Sequence, residues 1–287
     1  MTMQSLVRRV CTTCYNGFDT TDKESSTCQW CERDRTVMPR DLPLFQPVLD
    51  YGHVKYIEHW GSDERVIEGA RQSTRGGFVS WDAYENHPKG DAGLLAYLWR
   101  EKHVGPFEMC GMTLQIMAPV VVFRQWHRHR TQSYDEMSGR YTVLPELDYV
   151  PSIQRLNESI TASANKQASG SGKHPGQTAL ESWQARLRAH LAKGREIYHD
   201  GLDLGISKEV SRFALGVTMY SQMWASGNLR NWLHFLNLRK DPHAQWEIRQ
   251  FAYVVDNVVK SLFPRTFQLY NDNKTWFKSD SKDNQGK

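Results

Sequence analysis

Apolar positions recur along the chain at two spacings, which separate predicted strands from predicted helices. The stretch MTLQIMAPVVVF (112–123) is apolar and rich in β-branched residues, so it predicts a strand that leads into a helix near Arg124. In AGLLAYLWRE (92–101) the leucines recur at helical spacing. The stretch GISKEVSRFAL (205–215) begins a further predicted helix, with Ser207 as its N-cap.

Two longer periodic stretches, 179–202 and 244–264, predict amphipathic helices, the second of which ends at Pro264. The apolar face of the first comprises Leu180, Trp183, Leu187 and Leu191, and that of the second Ile248, Phe251, Val255, Val258 and Leu262. The chain therefore predicts an α/β or α+β fold in which helices dominate the second half.

Composition divides the chain into segments. Residues 1–35 contain two closely spaced cysteine pairs, and residues 36–47 are rich in proline and predict a linker. The main domain is predicted to span 48–275, followed by a polar tail at 276–287. Within the domain, residues 164–177 are rich in Gly, Ser and Lys and predict a loop.

Charge and hydropathy exclude several classes of protein. The 36 basic and 32 acidic side chains leave a formal net charge of +4, which is too small for bulk nucleic-acid binding, so any anion site must be local. The longest apolar run, 116–123, is too short to span a membrane, and MTMQSLVRRV at the N-terminus lacks the apolar centre of a signal peptide. We therefore expect a cytoplasmic globular protein without a membrane partner.

The cysteines predict a metal site. Four of the five, Cys11, Cys14, Cys28 and Cys31, form two CxxC pairs separated by thirteen residues. Two such pairs can supply four thiolates to one tetrahedral Zn²⁺, which would hold together a segment too short and too polar to fold by burial. The alternative is a redox pair or two chance CxxC motifs. Cys110 stands apart and is predicted to be a small core residue.

Positive charge is concentrated in RQWHRHRTQSYDEMSGRY (124–141). Arg124 and Arg128 are four residues apart and would share the face of a helix, and Arg130 and Arg140 follow. No acidic residue lies between Phe123 and Asp135. A guanidinium group can bind two phosphate oxygens at once, through two parallel hydrogen bonds. The stretch predicts an anion site, although a solvated basic face or pairing with distant acids is an alternative. The chain contains no glycine-rich phosphate loop, so side chains would have to bind a nucleotide.

These residues resemble the signature of the flavin-dependent thymidylate synthases, which reads RHR, two residues, S, one residue, N, two residues, S, one residue, RY. The signature is matched at Arg128, His129, Arg130, Ser133, Ser138, Arg140 and Tyr141. HVGPFE (103–108), RQW (124–126) and NLRNWLHFLNLRKDPHAQWEI (228–248) resemble further segments of that family in the same order. The resemblance covers roughly 50 to 270 and leaves out the cysteine pairs.

The resemblance implies a fold and a reaction. Enzymes of this family methylate C5 of deoxyuridylate (dUMP), with methylenetetrahydrofolate as the carbon donor and NADPH-reduced FAD as the source of hydride. The implied structure is the flavin-dependent thymidylate synthase-like α/β fold, assembled as a homotetramer whose active sites are shared between subunits. A small N-terminal zinc knuckle would be an addition to it.

The resemblance also implies roles for individual residues. The nucleotide-binding positions are Gln125, Trp126, His127, Arg128, Glu136, Met137, Ser138, Gly139, Arg140, Arg212 and Arg239. The flavin-binding positions are His103, Gly105, Arg128, His129, Arg130, Glu136, Asn228, Leu229, Arg230 and His234. Ser73 matches a family serine near the bound ligands.

Arg239 matches the residue that activates the substrate. A guanidinium beside N3 and O2 of uracil would favour an anionic or polarised ring and raise electron density at C5. No cysteine lies in the signature, so an enzyme nucleophile is not required. Ser138 has no evident base and is interpreted as a binding residue. His243 and Trp246 are interpreted as packing or supporting residues.

Two positions depart from the family pattern. Asp135 stands where the family has Asn, and His234 stands where Asn is common on the flavin side. An ionised carboxylate only accepts hydrogen bonds, so Asp135 would favour cytosine over uracil if it read the base edge. Alternatively, Asp135 orders the loop or pairs with a neighbouring arginine.

Other functions stay open at this point. Water instead of hydride could end the reaction and leave a hydroxymethyl group on dUMP or dCMP. The chain could also be a zinc-ribbon nucleic-acid-binding protein whose arginines contact phosphates. The modest net charge and the mixed signs of CQWCERDR argue against this last function.

Overall fold

The structure is a computed structural model that describes residues 7–10, 17–20, 42–74, 76–161 and 174–273. Near the N-terminus, β1 (Val7–Val10) pairs antiparallel with β2 (Gly17–Thr20). Within the described ranges, no helix is both long and apolar enough to cross a membrane.

The main domain is built on a five-stranded antiparallel sheet. Its strands are β3 (Phe45–Val48), β4 (Gly52–Trp60), β5 (Gly111–Pro119), β6 (Ser133–Glu136) and β7 (Tyr220–Asn228). The spatial order is β3-β4-β5-β7-β6, so β7 pairs with two strands that precede it by about a hundred residues. The pairing places β6, which holds part of the arginine-rich stretch, at one edge of the sheet.

Nine α-helices are defined in the described residues. They are α1 (Asp63–Ala70), α2 (Gly90–Arg100), α3 (Val120–Trp126), α4 (Ile153–Thr161), α5 (Gln177–Asp203), α6 (Lys208–Ser211), α7 (Leu229–Arg239), α8 (Trp246–Leu262) and α9 (Pro264–Asp272). Short 3₁₀ turns occupy Gln72–Thr74, Gly105–Glu108 and Arg212–Ala214.

The two faces of the sheet differ in polarity. On one face, apolar side chains of β4, β5 and β7 are buried beneath helices that include α3, α7 and α8. Aromatic rings fill this core: Trp126 of α3 lies 4.5 Å from Phe235 of α7 and 6.4 Å from Phe251 of α8, centroid to centroid. Large aromatic side chains contribute most area per residue to such a core.

The opposite face is polar. Lys55, Gln115, Trp224 and Asp135 are aligned in one row across β4, β5, β7 and β6. Directly paired residues of antiparallel strands project from the same face, so these four side chains share it. In the neighbouring row Thr113 donates a hydrogen bond to a serine hydroxyl at 3.0 Å. A sheet with one covered and one polar face, and helices gathered on one side, is an α+β arrangement.

Most predicted elements are confirmed, with corrections at their ends. β5 runs directly into α3, as MTLQIMAPVVVF predicts. However, α3 ends at Trp126, so Arg128 lies beyond it and the prediction that Arg124 and Arg128 share a helix face is wrong. The helix predicted after Ser207 is a single turn, and the Ser207 side chain makes no capping hydrogen bond. Pro264 follows α8 but is also the first residue of α9.

Two further differences concern packing and boundaries. The predicted helix at 179–202 is confirmed as α5, but of its predicted apolar face Leu180 is buried whereas Trp183 is 43% exposed. The sheet begins at Phe45, inside the segment for which the sequence predicts a linker. Hydrogen bonding to β4 explains this, because Pro47 lies in the edge strand, where a missing N–H is tolerated.

Candidate active site

The arginine-rich stretch lies in and after α3, and a group of buried side chains holds the turn that follows this helix. The Trp126 indole donates to the Gln132 side-chain oxygen at 3.1 Å. The Tyr134 hydroxyl lies 3.1 Å from the Trp126 carbonyl oxygen and 2.8 Å from that of His129. Because Tyr134 is paired with Ala225 of β7, it projects into the core and fixes this turn against the sheet. Neither Gln132 nor Tyr134 is predicted from the sequence as a site residue.

The centre of the site is Arg239, in the last turn of α7. Its Nε donates to Nε2 of His129 at 2.8 Å, and its NH2 group donates to the Gln125 carbonyl oxygen at 2.8 Å. The Gln125 side-chain oxygen lies farther away, at 3.4 Å from NH1. All three acceptors are neutral groups. Burial lowers the pKa of Arg239, and the positive charge of Arg128 lowers it further.

The remaining arginines divide into two groups. Arg124, Arg128 and Arg130 are exposed and form no ion pair with any described residue. Arg140 instead pairs with Glu209 at 2.9 Å, so for this residue pairing with a distant acid is the observed state. Unpaired cations at the end of a helix and in the turn after it leave a local positive field, as an anion site requires.

The segment after β6 is held against α6 and β7. The Glu136 carboxylate accepts a hydrogen bond from the Ser221 hydroxyl at 2.9 Å and lies 4.0 Å from the His127 ring nitrogen. The Met137 N–H donates to the backbone of β7. Gly139 is buried, and a Cβ there would lie 3.0 Å from a Leu144 methyl group.

The turn at Ser138–Tyr141 contains the predicted nucleotide-binding residues Ser138 and Arg140 and lies beside α6. The Ser138 hydroxyl accepts from the Arg140 N–H at 3.3 Å, and Lys208 at the start of α6 donates to the Tyr141 carbonyl oxygen at 3.0 Å. Arg212 follows α6 directly and is half-buried. The turn and Arg212 therefore lie beside the same short helix.

Five of the predicted flavin-side residues lie at the opposite end of α7 from Arg239: His103, Gly105, Asn228, Leu229 and Arg230. Arg230 pairs with Glu108 at 2.9 Å, which ties α7 to the 3₁₀ turn that contains Gly105. His103 precedes this turn and packs edge-on against Tyr97 at 5.6 Å. Nine residues of helix separate Arg230 from Arg239, or roughly 13 Å.

Two of these residues have structural roles in α7. The Asn228 side chain caps the helix by accepting from the Asn231 N–H at 3.0 Å. Leu229 is fully buried, and its N–H donates to the Cys110 carbonyl oxygen at 2.7 Å. Asn228 therefore positions the helix, and Leu229 fixes its first turn against the core.

Comparison with known proteins identifies the family of this chain. Residues 55–265 match the family described as Thymidylate synthase complementing protein. The chain belongs to this family. It is 36% identical over 230 residues to the flavin-dependent thymidylate synthase of Thermus thermophilus, covering 80% of this chain and 79% of the relative. It is 35% identical over 252 residues to that of Rickettsia bellii, covering 83% of each chain.

Among solved structures, the fold resembles a UMP/dUMP methylase, PolB, from Streptomyces cacaoi bound with 5-Br dUMP. The TM-score is 0.65 at 29% identity, and the match covers 79% of this chain and 97% of that chain. The same protein bound with 5-Br UMP matches with a TM-score of 0.64. These comparisons confirm the family resemblance that the signature predicts.

Two predicted site residues, Asp135 and Ser73, make no contact with Arg239 among the described residues of the chain. Asp135 projects from the polar face of the sheet, opposite to Tyr134 and Glu136, because side chains alternate along a strand. It forms no ion pair with a described residue, so the alternative that it pairs with a nearby arginine is not observed. Ser73 is exposed in the turn after α1. His234 is exposed in the middle of α7, and its ring lies 6.0 Å from that of His129, which accepts a hydrogen bond from Arg239.

Other predictions have separate outcomes. His243 is exposed and lies 2.9 Å from Asp241, so it does not pack in the core, and its interpretation as a supporting residue stays a prediction. Trp246 begins α8 and stacks beneath Arg155 at 5.3 Å. Cys110 is fully buried, which raises the pKa of its thiol and confirms it as a core residue.

The predicted zinc ligands Cys11, Cys14, Cys28 and Cys31 lie outside the described residues. Within the described residues no cluster of three or more His, Cys, Asp or Glu side chains is arranged to hold a metal ion.

Proposed function

We propose that this chain is a flavin-dependent thymidylate synthase, which converts dUMP to dTMP with methylenetetrahydrofolate as carbon donor and NADPH-reduced FAD as hydride source. The observation that supports this best is the environment of Arg239. Its guanidinium is half-buried and is held by neutral acceptors, and the positive charge of Arg128 acts on it. Such a cation is available to a ligand, because no described carboxylate neutralises it.

Arg239 would act on the pyrimidine ring. A guanidinium beside N3 and O2 stabilises negative charge there and lowers the pKa of the N3 proton, which raises electron density at C5. The charge is effective because Arg239 is partly shielded from water. No described thiol or activated hydroxyl lies beside it, since Cys110 is in the core and Ser138 has no base as a partner. The ring is therefore activated without a covalent bond to the protein.

The nucleotide phosphate would bind near α6. Arg140 and Arg212 flank this helix, and the Glu136–Arg140 segment supplies backbone N–H groups. Only the Nε of Arg140 is engaged by Glu209, so its other N–H groups could meet phosphate oxygens.

The chain's side chains fit a flavin nucleotide. Arg128 and Arg130 are exposed cations without acidic partners among the described residues, and α7 adds Arg230 and His234 along its exposed side. Unpaired guanidinium groups suit a pyrophosphate. When bound, the flavin would supply the hydride for the methyl group. His103 and Gly105 would approach it from the 3₁₀ turn that Arg230 and Glu108 connect to α7.

A homotetramer is part of this proposal. Neither Asp135 nor Ser73 contacts Arg239 among the described residues of one chain, so a site that used all three would draw on more than one chain. The surface of α5 and α6 also exposes large apolar side chains that a partner would cover, including Leu204 at 78% and Phe213 at 77%.

We also propose a zinc knuckle at residues 1–35. The antiparallel strands β1 and β2 flank the first CxxC pair, and a hairpin of this kind commonly presents two zinc ligands.

Product analysis tests the function. The purified protein is incubated with NADPH, methylenetetrahydrofolate and, in parallel, dUMP, UMP or dCMP, and the pyrimidine is identified by mass. We expect dTMP from dUMP, and a bound flavin that is reduced by NADPH. R239A should abolish release of the C5 hydrogen while flavin remains bound. A colourless protein, or turnover that R239A leaves unchanged, would contradict the proposal.

The same assay decides between the alternatives. A hydroxymethyl product would show that water ends the reaction, and release from dCMP instead of dUMP would favour the cytosine interpretation of Asp135. Salt-sensitive DNA affinity without flavin would favour a nucleic-acid-binding protein.

A further inference from the structure

His129 is almost completely buried beside Arg239. It is 4% exposed, and its ring packs against Phe235 at 4.9 Å and lies 6.0 Å from that of His234. The family resemblance assigns this histidine to the flavin. Its burial leaves little side-chain surface for a ligand, whereas its Nε2 lies 2.8 Å from the Arg239 Nε.

The contact with Arg239 determines the tautomer of His129. A guanidinium can only donate, so Nε2 must be the unprotonated, accepting nitrogen and the ring proton must be on Nδ1. Burial, Arg239 and His234 together lower the pKa of His129 from 6.5 to about 3. The ring is therefore neutral at physiological pH and remains an acceptor.

A neutral acceptor orients a cation without neutralising it. A carboxylate in the same place would form an ion pair and reduce the field that Arg239 presents to a ligand. His129 and the two oxygens of Gln125 instead occupy three of the five guanidinium N–H groups and add no negative charge. The other two N–H groups have no partner among the described residues and are free for a bound pyrimidine.

We propose that His129 is a positioning residue, which holds Arg239 through its unprotonated Nε2 so that the free edge of the guanidinium is directed at the pyrimidine. This assignment rests on the proposed function, because it concerns the same reaction. His129 would act through Arg239 and not by contact with substrate.

Two substitutions separate the acceptor from the bulk of the ring. In H129Q the amide oxygen can reach the position of Nε2, whereas H129L has similar volume and no acceptor. We expect H129L to raise the Kd for dUMP, measured by calorimetry on the FAD-loaded protein, and to lower kcat, each roughly tenfold, as loss of one charge-assisted hydrogen bond would. H129Q should stay within about threefold of wild type in both. If H129L does not fold, H129N replaces it, since its amide is too short to reach.

A double-mutant cycle shows whether the effect passes through Arg239. In the R239A background, H129L should change the Kd for dUMP by less than about twofold, because the interaction is already absent. An equal effect of H129L in both backgrounds would overturn the assignment, as would wild-type kcat and Kd in H129L. Loss of FAD from H129L, with normal turnover per bound flavin, would assign His129 to the flavin instead. If wild-type protein does not bind dUMP, the proposed function fails first.

Discussion

The low pKa of His129 makes the fold sensitive to mild acid. In the unfolded chain this histidine has an ordinary pKa near 6.5, whereas in the folded protein the pKa is about 3. As the pH falls below 6.5, the unfolded state therefore takes up a proton that the folded state refuses, and the free energy of unfolding decreases. From these two pKa values, the decrease between pH 7 and pH 5 is about 2 kcal/mol.

The measurement is urea unfolding of wild type and H129Q at pH 7, 6 and 5, followed by tryptophan fluorescence. Glutamine does not titrate, so wild type should lose about 2 kcal/mol more than H129Q between pH 7 and pH 5. His53 and His234 also have lowered pKa values, and they contribute in the same direction in both proteins. An identical pH dependence in the two proteins would refute the reasoning, because His129 would then be protonated in the fold or equally exposed in both states.

Three further predictions concern other parts of the molecule. D91N should lower the free energy of unfolding by about 3 kcal/mol, because the buried Asp91 carboxylate is the partner of Arg71. The control E68Q changes an exposed ion pair and should lower it by less than about 0.5 kcal/mol, as measured by chemical denaturation of both variants. Chelation should remove one zinc ion per chain, as measured by elemental analysis, and should leave the flavin spectrum unchanged, because the cysteine pairs lie outside the family segment at 55–265. Loss of flavin on chelation would contradict this. In competition assays, D135N should leave the preference for dUMP over dCMP unchanged within about threefold, because Asp135 projects from the sheet face opposite to Tyr134. A larger change would show that another chain brings Asp135 to the base.

Local sequence predicts those parts of the fold that depend on neighbouring residues. The apolar and β-branched run at 112–123 gives β5 and the start of α3, and the 3.6-residue periodicity of 244–264 gives α8. The end of α3 at Trp126 is not predicted by periodicity, because it depends on Gln132 and Tyr134 holding the turn from outside the helix. Helix ends are commonly decided by such contacts.

The position of Asp135 shows the same limit within the sheet. Its place in the signature suggests a role beside the base, but pairing with Trp224 determines the face from which it projects. The strand register follows from the burial of Tyr134 against the core, and a shift of one residue would exchange the two faces. No pattern in the signature contains that information.

By itself, the sequence determined the family, the distribution of helices and strands, and the arginine-rich stretch that supplies much of the site, because each depends on residue types at fixed spacings along the chain. Only the tertiary structure decided which charges stay unpaired. Arg140 meets Glu209 across 69 residues, whereas Arg239 meets the neutral His129 across 110. The strength of a cation depends on its burial and on the charge of its nearest neighbours in space, and folding alone brings those neighbours together.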